Sequence, residues 1–334
     1  MRRQTSVCRR FLASAAMAIA LFSPLTEGCS EQTVKTDVVT EAAAPPAQKN
    51  ISLAPLSKLS SKPSSAWAKS EKLAEALEKE QSPFERISII QELAAVGGDP
   101  AMSKLAVALI QERDSYVRGK MVDAIAKIGG DYAISVLELA LREDQHPVIR
   151  ATAAMRLGDL RNAKAVDALI ETGLHDPDGL VRCMSITSLT LIGERDRTVP
   201  ALITVLLEDS YHFARVSSIL ALERFGDGRA LYPLIRKMKY DPEELVSAEA
   251  VRALGVLGDE RAIDPLIEAL KGMRWRPDYQ VLQRLAAWSL AQFSPIAQGA
   301  NREKIRDALC EVAQNDESES VRNEAEKAIA AYSS

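Results

Sequence analysis

DQHPVIRATAAMRLG, residues 144–158, carries the reading that decides the fold. Asp144 is followed six positions later by Arg150, and Ile149, Ala153 and Leu157 recur at the spacing of one helix face. The same Asp-to-Arg interval returns at Asp176/Arg182, Asp209/Arg215, Asp278/Arg284 and Asp316/Arg322. Arg118, Arg150, Arg182 and Arg215 follow one another at a near-constant interval, and Ser247 takes the Arg position one interval further on. A period of this length marks an array of small helical units.

Outward from this stretch, one unit runs from Asp131 to Leu160, with Ala133, Leu137 and Leu141 marking a first helix ahead of the second. Other first helices carry Ala101/Leu105, Ala165/Leu169, Ala230/Leu234 and Ala262/Leu266 at matching positions. Second helices carry Val117/Met121/Ile125, Val181/Ser185/Leu189, Ala214/Ser218/Leu222, Val246/Ala250/Leu254 and Val321/Ala325/Ile329. Each pair therefore has an apolar stripe to bury against the next pair. The composition agrees: 47% hydrophobic but only 5% aromatic, so the core material is Ala, Leu, Ile and Val, which suits thin stacked layers. Gly-rich turns such as Gly129-Gly130-Asp131, Gly158-Asp159, Gly226-Asp227-Gly228 and Gly258-Asp259 separate the units, with Gly expected to end each helix in the left-handed conformation.

Within a unit the Asp closes the first helix and leads into the second, and the Arg one turn later reaches either back to that Asp or to its counterpart in the next unit. Asp144, Arg150, Asp176, Arg182, Asp209 and Arg215 thus form a ladder along one edge. Taken as exposed pairs worth about 0–1 kcal/mol each, they fix stacking geometry more than they hold the fold.

These strings, together with Gly258-Asp259-Glu260-Arg261-Ala262-Ile263-Asp264-Pro265-Leu266, resemble HEAT repeats, and in particular the short HEAT-like repeats named for the phycobilisome lyases. The resemblance implies an all-α, right-handed, armadillo-like α-solenoid of about eight two-helix units over residues 66–334, its concave side lined by second helices. It implies no single activity.

The N-terminus is different in kind. Arg2, Arg3, Arg9 and Arg10 precede an apolar run from Phe11 to Phe22, too short to cross a bilayer, which predicts an export signal over 1–28 rather than a membrane span. Leu25-Thr26-Glu27-Gly28-Cys29-Ser30 resembles a bacterial lipobox at Gly28 and Cys29 and departs from it at Thr26 and Glu27, so Cys29 is the expected lipidation site. Ordinary cleavage nearby is the alternative. Residues 29–65, with Pro45-Pro46, Pro55 and Pro63 and few large apolar residues, predict a disordered tether. Removing residues 1–28 takes four Arg and one Glu from totals of 42 and 46, leaving 38 basic and 45 acidic residues, a net charge of −7. That balance disfavours a nucleic-acid partner, because the phosphate backbone rewards a basic surface.

No motif for catalysis emerges. His146, His175 and His212 fall near the turn of three successive units, roughly 10 Å apart by helix spacing, which suits solvated turn residues better than a metal site. Deoxyhypusine hydroxylase, a HEAT-like enzyme, holds iron through His-Glu pairs, whereas here Pro, Asp and Phe follow the three histidines. No cofactor and no metal are expected. Cys183 and Cys310 sit four units apart, too far to bridge.

Two surfaces are candidates for a partner. On second helices, the positions three and six after the apolar anchor give Thr152/Met155, Met184/Thr187 and Ser217/Leu220, an uncharged patch flanked by the charged sets Lys120/Asp123, Glu249/Arg252 and Glu324/Lys327. It is either a groove or local packing between units. The turn edge carries Tyr116, His146, His175, Tyr211, Phe213, Tyr240 and Tyr279, and a lengthened seventh unit adds Arg274-Trp275-Arg276. Trp275 there is an interface anchor or the cover of its own helix. The function this predicts is a noncatalytic scaffold binding a protein or peptide, exported and lipid-anchored in the cell envelope. The alternative is a HEAT-like enzyme subunit or chromophore-handling protein of the bilin lyase or hydroxylase kind.

Overall fold

A computed structural model of the protein describes residues 65–272 and 279–332. Within them the backbone is helical throughout, with no strand among the described residues. Among the described residues sixteen α-helices follow in eight pairs. The pairs are α1 (Ser65–Lys79) with α2 (Pro83–Val96), α3 (Gly98–Gln111) with α4 (Ser115–Ile128), α5 (Gly130–Glu143) with α6 (Pro147–Leu160), and α7 (Val166–His175) with α8 (Gly179–Ile192). They continue as α9 (Arg195–Glu208) with α10 (His212–Phe225), α11 (Leu231–Tyr240) with α12 (Glu244–Leu257), α13 (Ile263–Leu270) with α14 (Tyr279–Ala291), and α15 (Gly299–Asn315) with α16 (Glu319–Ala330). The first described helix begins at Ser65.

Each second helix packs on its own first helix and on the second helices before and after it. The second-helix layer is the more closely packed of the two. This is the α-solenoid arrangement the period predicts, and the expected slots form its core. Ala101, Leu105, Ala133, Leu137, Ala165, Leu169, Ala262 and Leu266 are fully buried, as are Val117, Ile125, Val246, Ala250 and Leu254. Only Ile329, in the last helix, stays half-buried.

Capping explains where second helices start. Asp114 Oδ1 accepts from the Tyr116 and Val117 N–H groups at 2.8 and 3.1 Å, Asp178 Oδ1 accepts from Leu180 N at 2.8 Å, and His146 Nδ1 accepts from Val148 N at 3.3 Å. Pro83 and Pro147 open α2 and α6, where the missing N–H costs nothing. The ladder aspartates are therefore not the caps. They close the first helices, two positions earlier, and their Oδ1 atoms accept from the cap residue's own N–H, as in Asp144 with His146 at 2.8 Å.

The glycine turns divide into three kinds. Gly129 ends its helix at φ 73° and ψ −165°, a positive φ outside the left-handed helical region that was expected. Gly226 (φ 60°, ψ 36°) and Gly258 (φ 68°, ψ 19°) end their helices in the left-handed conformation as expected. Gly158 does not: it lies inside α6, and the left-handed residue is Arg161 at φ 49° and ψ 38°. The reason for Gly158 is proximity. A Cβ there would lie 2.7 Å from Ser188 Cβ on α8, and the same relation joins Gly255 on α12 to Ser289 on α14 at 2.6 Å. Paired Gly and Ser let neighbouring second helices approach at backbone distance.

Candidate functional site

The turns between first and second helices line up along one edge, and the ion-pair ladder runs just beneath its surface. Each Arg reaches forward to the next unit. Arg118 Nε and Nη2 donate to Asp144 at 2.8 and 3.0 Å, Arg150 to Asp176 at 2.7 and 2.9 Å, Arg182 to Asp209 at 2.7 and 2.6 Å, and Arg215 to Asp241 at 2.9 and 2.7 Å. The third nitrogen of each guanidinium reaches back: Nη1 of Arg150, Arg182 and Arg215 donates to the backbone oxygen of Asp144, Asp176 and Asp209 at 2.9, 2.8 and 2.8 Å. One side chain thus clamps its own turn and the next, a geometry the planar Arg fork permits and Lys does not.

The ladder is buried, which corrects the reading of these pairs as exposed. Arg side chains retain 5–12% of their exposure and their Asp partners 0–9%. The hydrogen bond to Asp176 raises the Arg150 pKa above its ordinary value, and that to Asp209 does the same for Arg182. For Asp241, burial pushes the carboxyl up, but hydrogen bonds from Arg215 and from Lys237 outweigh it and hold the pKa below the usual range. Two further corrections concern membership. Arg86 pairs with Glu112, a rung in which Glu replaces Asp. In the seventh unit the Arg position falls on buried Gln283, whose Nε2 donates to Asp316 Oδ2 at 2.8 Å; Arg284 is exposed and outside the ladder.

Above the ladder the edge carries an apolar row that the sequence reading identified only in part. The second residue of successive second helices is Phe84, Tyr116, Val148 and Leu180, then Phe213 and Leu245, one per unit. All but half-buried Leu180 are exposed, Phe84 at 80% and Tyr116 at 61%. Val281, on α14, continues the row. The signal was available: an apolar residue stands two positions before every ladder position from Arg86 to Gln283. Tyr211 caps the packing from below, its ring lying where a Cβ on Gly179 would come within 2.6 Å. It meets Phe213 edge-on at 5.5 Å between ring centres. Tyr240, at the end of α11, is exposed, and His146 and His175 are exposed on the same edge. Tyr279 begins α14, and its side chain is outside the described residues.

The uncharged second-helix patch sits on α6, α8 and α10. Thr152, Met155 and Thr187 are half-buried, while Met184, Ser217 and Leu220 are buried. Cys183 Sγ lies 3.0 Å from Ser217 Oγ, and burial raises the pKa of that thiol. The tight second-helix layer closes over half of the six residues. Toward the N-terminal units, a cleft of about 480 Å³ opens between α4 and α6. Arg156 spans it, donating to Asp123 and Asp159 at 2.8 Å each. Cys29 and the Arg274-Trp275-Arg276 segment lie outside the described residues.

The HEAT-repeat sequence profile matches residues 70–155, 135–223 and 199–291. No curated protein matches the sequence. Among solved structures, Kap121p bound to Nup53p is similar with a TM-score of 0.53 and 16% identity, over 80% of this chain and 33% of that one. Human deoxyhypusine hydroxylase is matched at a TM-score of 0.36 and 20% identity over 80% of this chain and 97% of that one. The complex of CpcE and CpcF of phycocyanin lyase from Nostoc sp. PCC7120 is matched at 0.40 and 23% over 50% and 99%. At these identities the Kap121p likeness speaks to fold alone.

Proposed function

The chain belongs to the HEAT-repeat family, and on that premise we propose that it is a noncatalytic scaffold that binds a protein or peptide partner along its repeat array. The observation that most supports this is the apolar row at the turn edge. Phe84, Tyr116, Val148, Phe213 and Leu245 occupy one position in five units and remain exposed. An apolar side chain held in water costs hydrophobic free energy, about 25 cal/mol per Å² left uncovered, and five at one repeated position form a continuing strip rather than scattered singles. A site of reaction needs polar groups that converge on a point. A strip that recurs once per unit is suited instead to a ligand that runs along the array.

The proposal includes export and lipid anchoring at Cys29, supported by the Arg-flanked apolar run Phe11–Phe22 and the Gly28-Cys29 pair. A Pro- and Ser-containing tether would then carry the repeats clear of the bilayer.

Photo-crosslinking from the full-length protein in intact cells tests the scaffold reading. A crosslinker at Phe213 should trap a defined partner, and one at Tyr232, at the start of α11 on the other side of its unit, should trap less of it. Purified protein that carries bound metal or pigment and traps no partner at any position would favour the enzymatic alternative. For the anchor, Cys29→Ala should move the protein from the membrane to the soluble fraction; unchanged partitioning would remove lipidation from the account.

A further inference from the structure

We infer that the occupant of the turn edge is an extended, cationic polypeptide segment that presents an apolar side chain at about every third residue. This rests on the scaffold reading and adds the site and the chemistry of the partner.

The first argument is register. Phe84, Tyr116, Val148, Leu180, Phe213 and Leu245 recur at the repeat period, one per stacked unit. Packed helices are about 8–10 Å apart. A chain in extended or polyproline conformation advances about 3.1–3.4 Å per residue, so three residues span one unit. Polyproline geometry also has three residues per turn, which returns every third side chain to one face. A helical ligand advances about 5.4 Å per turn, and alternate turns would fall over the polar gaps between rows.

The second argument is charge. Glu85, Glu143, Glu208, Glu243 and Glu244 are exposed along this edge and make no salt bridge among the described residues. Of the nearby cations among the described residues, Arg142 is committed to Glu171 and Lys239 to Glu268, while Lys79, Arg113 and Arg284 make no salt bridge there, fewer than the carboxylates. Glu143 and Glu208 are the last residues of α5 and α9. The helix macrodipole disfavours a carboxylate there, so their presence is not explained by helix stability. The inter-unit turns on the other side of the array differ. There most carboxylates are paired, Asp131 with Lys164 and Asp167 with Arg197 across units, and Asp227 with Arg195 and, within its own turn, Arg229, while Asp99 and Glu194 make no salt bridge among the described residues. An edge that combines an apolar row with unpaired carboxylates complements a ligand of alternating apolar and Lys or Arg residues.

The test uses the full-length protein and fluorescein-labelled 18-residue peptides followed by anisotropy. The first peptide repeats Leu-Lys-Pro, the second has the same composition with Leu placed irregularly, and the third replaces Lys by Glu. The first should bind at least ten-fold more tightly than either control, and more weakly as salt is raised. The double variant Phe213→Glu, Leu245→Glu should lose at least ten-fold, while Tyr232→Glu should bind like the original. Circular dichroism must show both variants helical; if the double variant unfolds, Glu143→Lys with Glu208→Lys replaces it, and the same loss is expected. Equal binding of the first two peptides, or full binding by the edge variants, overturns the inference. So does concentration-dependent self-association abolished by the double variant, which would assign the edge to a second copy of the chain. A cellular partner that crosslinks from Thr152 or Met155 but not from Phe213 would leave the scaffold reading standing and this inference refuted.

Discussion

Arg215 and Asp241 face each other across the fifth and sixth units with two parallel hydrogen bonds of 2.9 and 2.7 Å, and the Asp241 side chain is fully buried. Arg215 Nη1 at the same time holds the Asp209 carbonyl at 2.8 Å. Asp241 has a second cation, Lys237 Nζ at 3.0 Å, which the other rungs lack among the described residues. The ladder is thus a set of buried charges that require their partners, and its rungs differ in how much they depend on one Arg.

That difference is measurable. Arg182→Ala leaves Asp209 buried with its backbone contact to Tyr211 but no paired cation, and should cost about 3–5 kcal/mol, the usual penalty for breaking a buried pair by removing one member. Arg215→Ala leaves Lys237 beside Asp241, so its loss should be clearly smaller. Urea denaturation of both variants decides the matter, and equal losses would mean that Lys237 does not compensate.

The depressed Asp241 pKa gives a pH dependence of fixed sign. A carboxyl whose folded pKa lies below its unfolded value of about 3.9 contributes its full stability above that value and loses it as pH falls through the folded pKa. The melting temperature should therefore hold steady from pH 6 to 5 and fall below about pH 4. Asp227 and Asp259, also held low by their arginine partners, contribute to the same fall, so the comparison that counts is with Asp241→Asn. That variant should melt lower at pH 6 and decline less steeply below pH 4. Parallel curves would show that Asp241 carries no special share.

The repeat was legible because its period is carried by two independent signals, the apolar slots and the Arg position, and both survive local substitution. Where only one signal remained the reading slipped. Glu112 hid the first rung because Asp was sought, and the lengthened seventh unit moved the Arg position onto Gln283. Burial was harder to read than register. Met184 and Leu220 occupy positions that would face outward on an isolated helix, but α8 and α10 lie so close that those positions are covered. The apolar row was legible only at Tyr116 and Phe213, for the opposite reason: Val148 and Leu245 look like core residues in sequence, and only the helix start places them at the surface.

Close approach of the second helices predicts an unusual response to Gly158→Ala. In a free helix the change would gain up to about 1 kcal/mol of propensity. Here the new methyl meets Ser188 Cβ at 2.7 Å and Cα at 2.8 Å, so α6 and α8 must separate, at about 1–3 kcal/mol for overpacking. Net destabilisation is expected. Ser188→Gly in the same chain should recover part of it, and a double-mutant cycle should show coupling between the two sites. Additive effects would refute contact between these residues.

The C-terminal unit should show how locally the array is held together. Tyr332 donates its hydroxyl to the Leu290 carbonyl at 2.6 Å, and burial pushes the phenol pKa up to about 12, so it remains a donor at neutral pH. Arg302 donates to the Tyr332 carbonyl at 2.9 Å and stacks over its ring at 5.1 Å. Tyr332→Phe should cost about 0.5–1.5 kcal/mol, since Leu290 O keeps the N–H of Phe293. Tyr332→Ala removes a buried aromatic ring and should cost about 3–5 kcal/mol. Because each unit touches only its neighbours, the loss should fall on α15 and α16 before it reaches the middle of the array. Amide hydrogen exchange in Tyr332→Ala should accelerate over residues 299–330 and stay unchanged in α6. Acceleration of equal size in α6 would mean that the units unfold together, and the nearest-neighbour picture of the array would have to be given up.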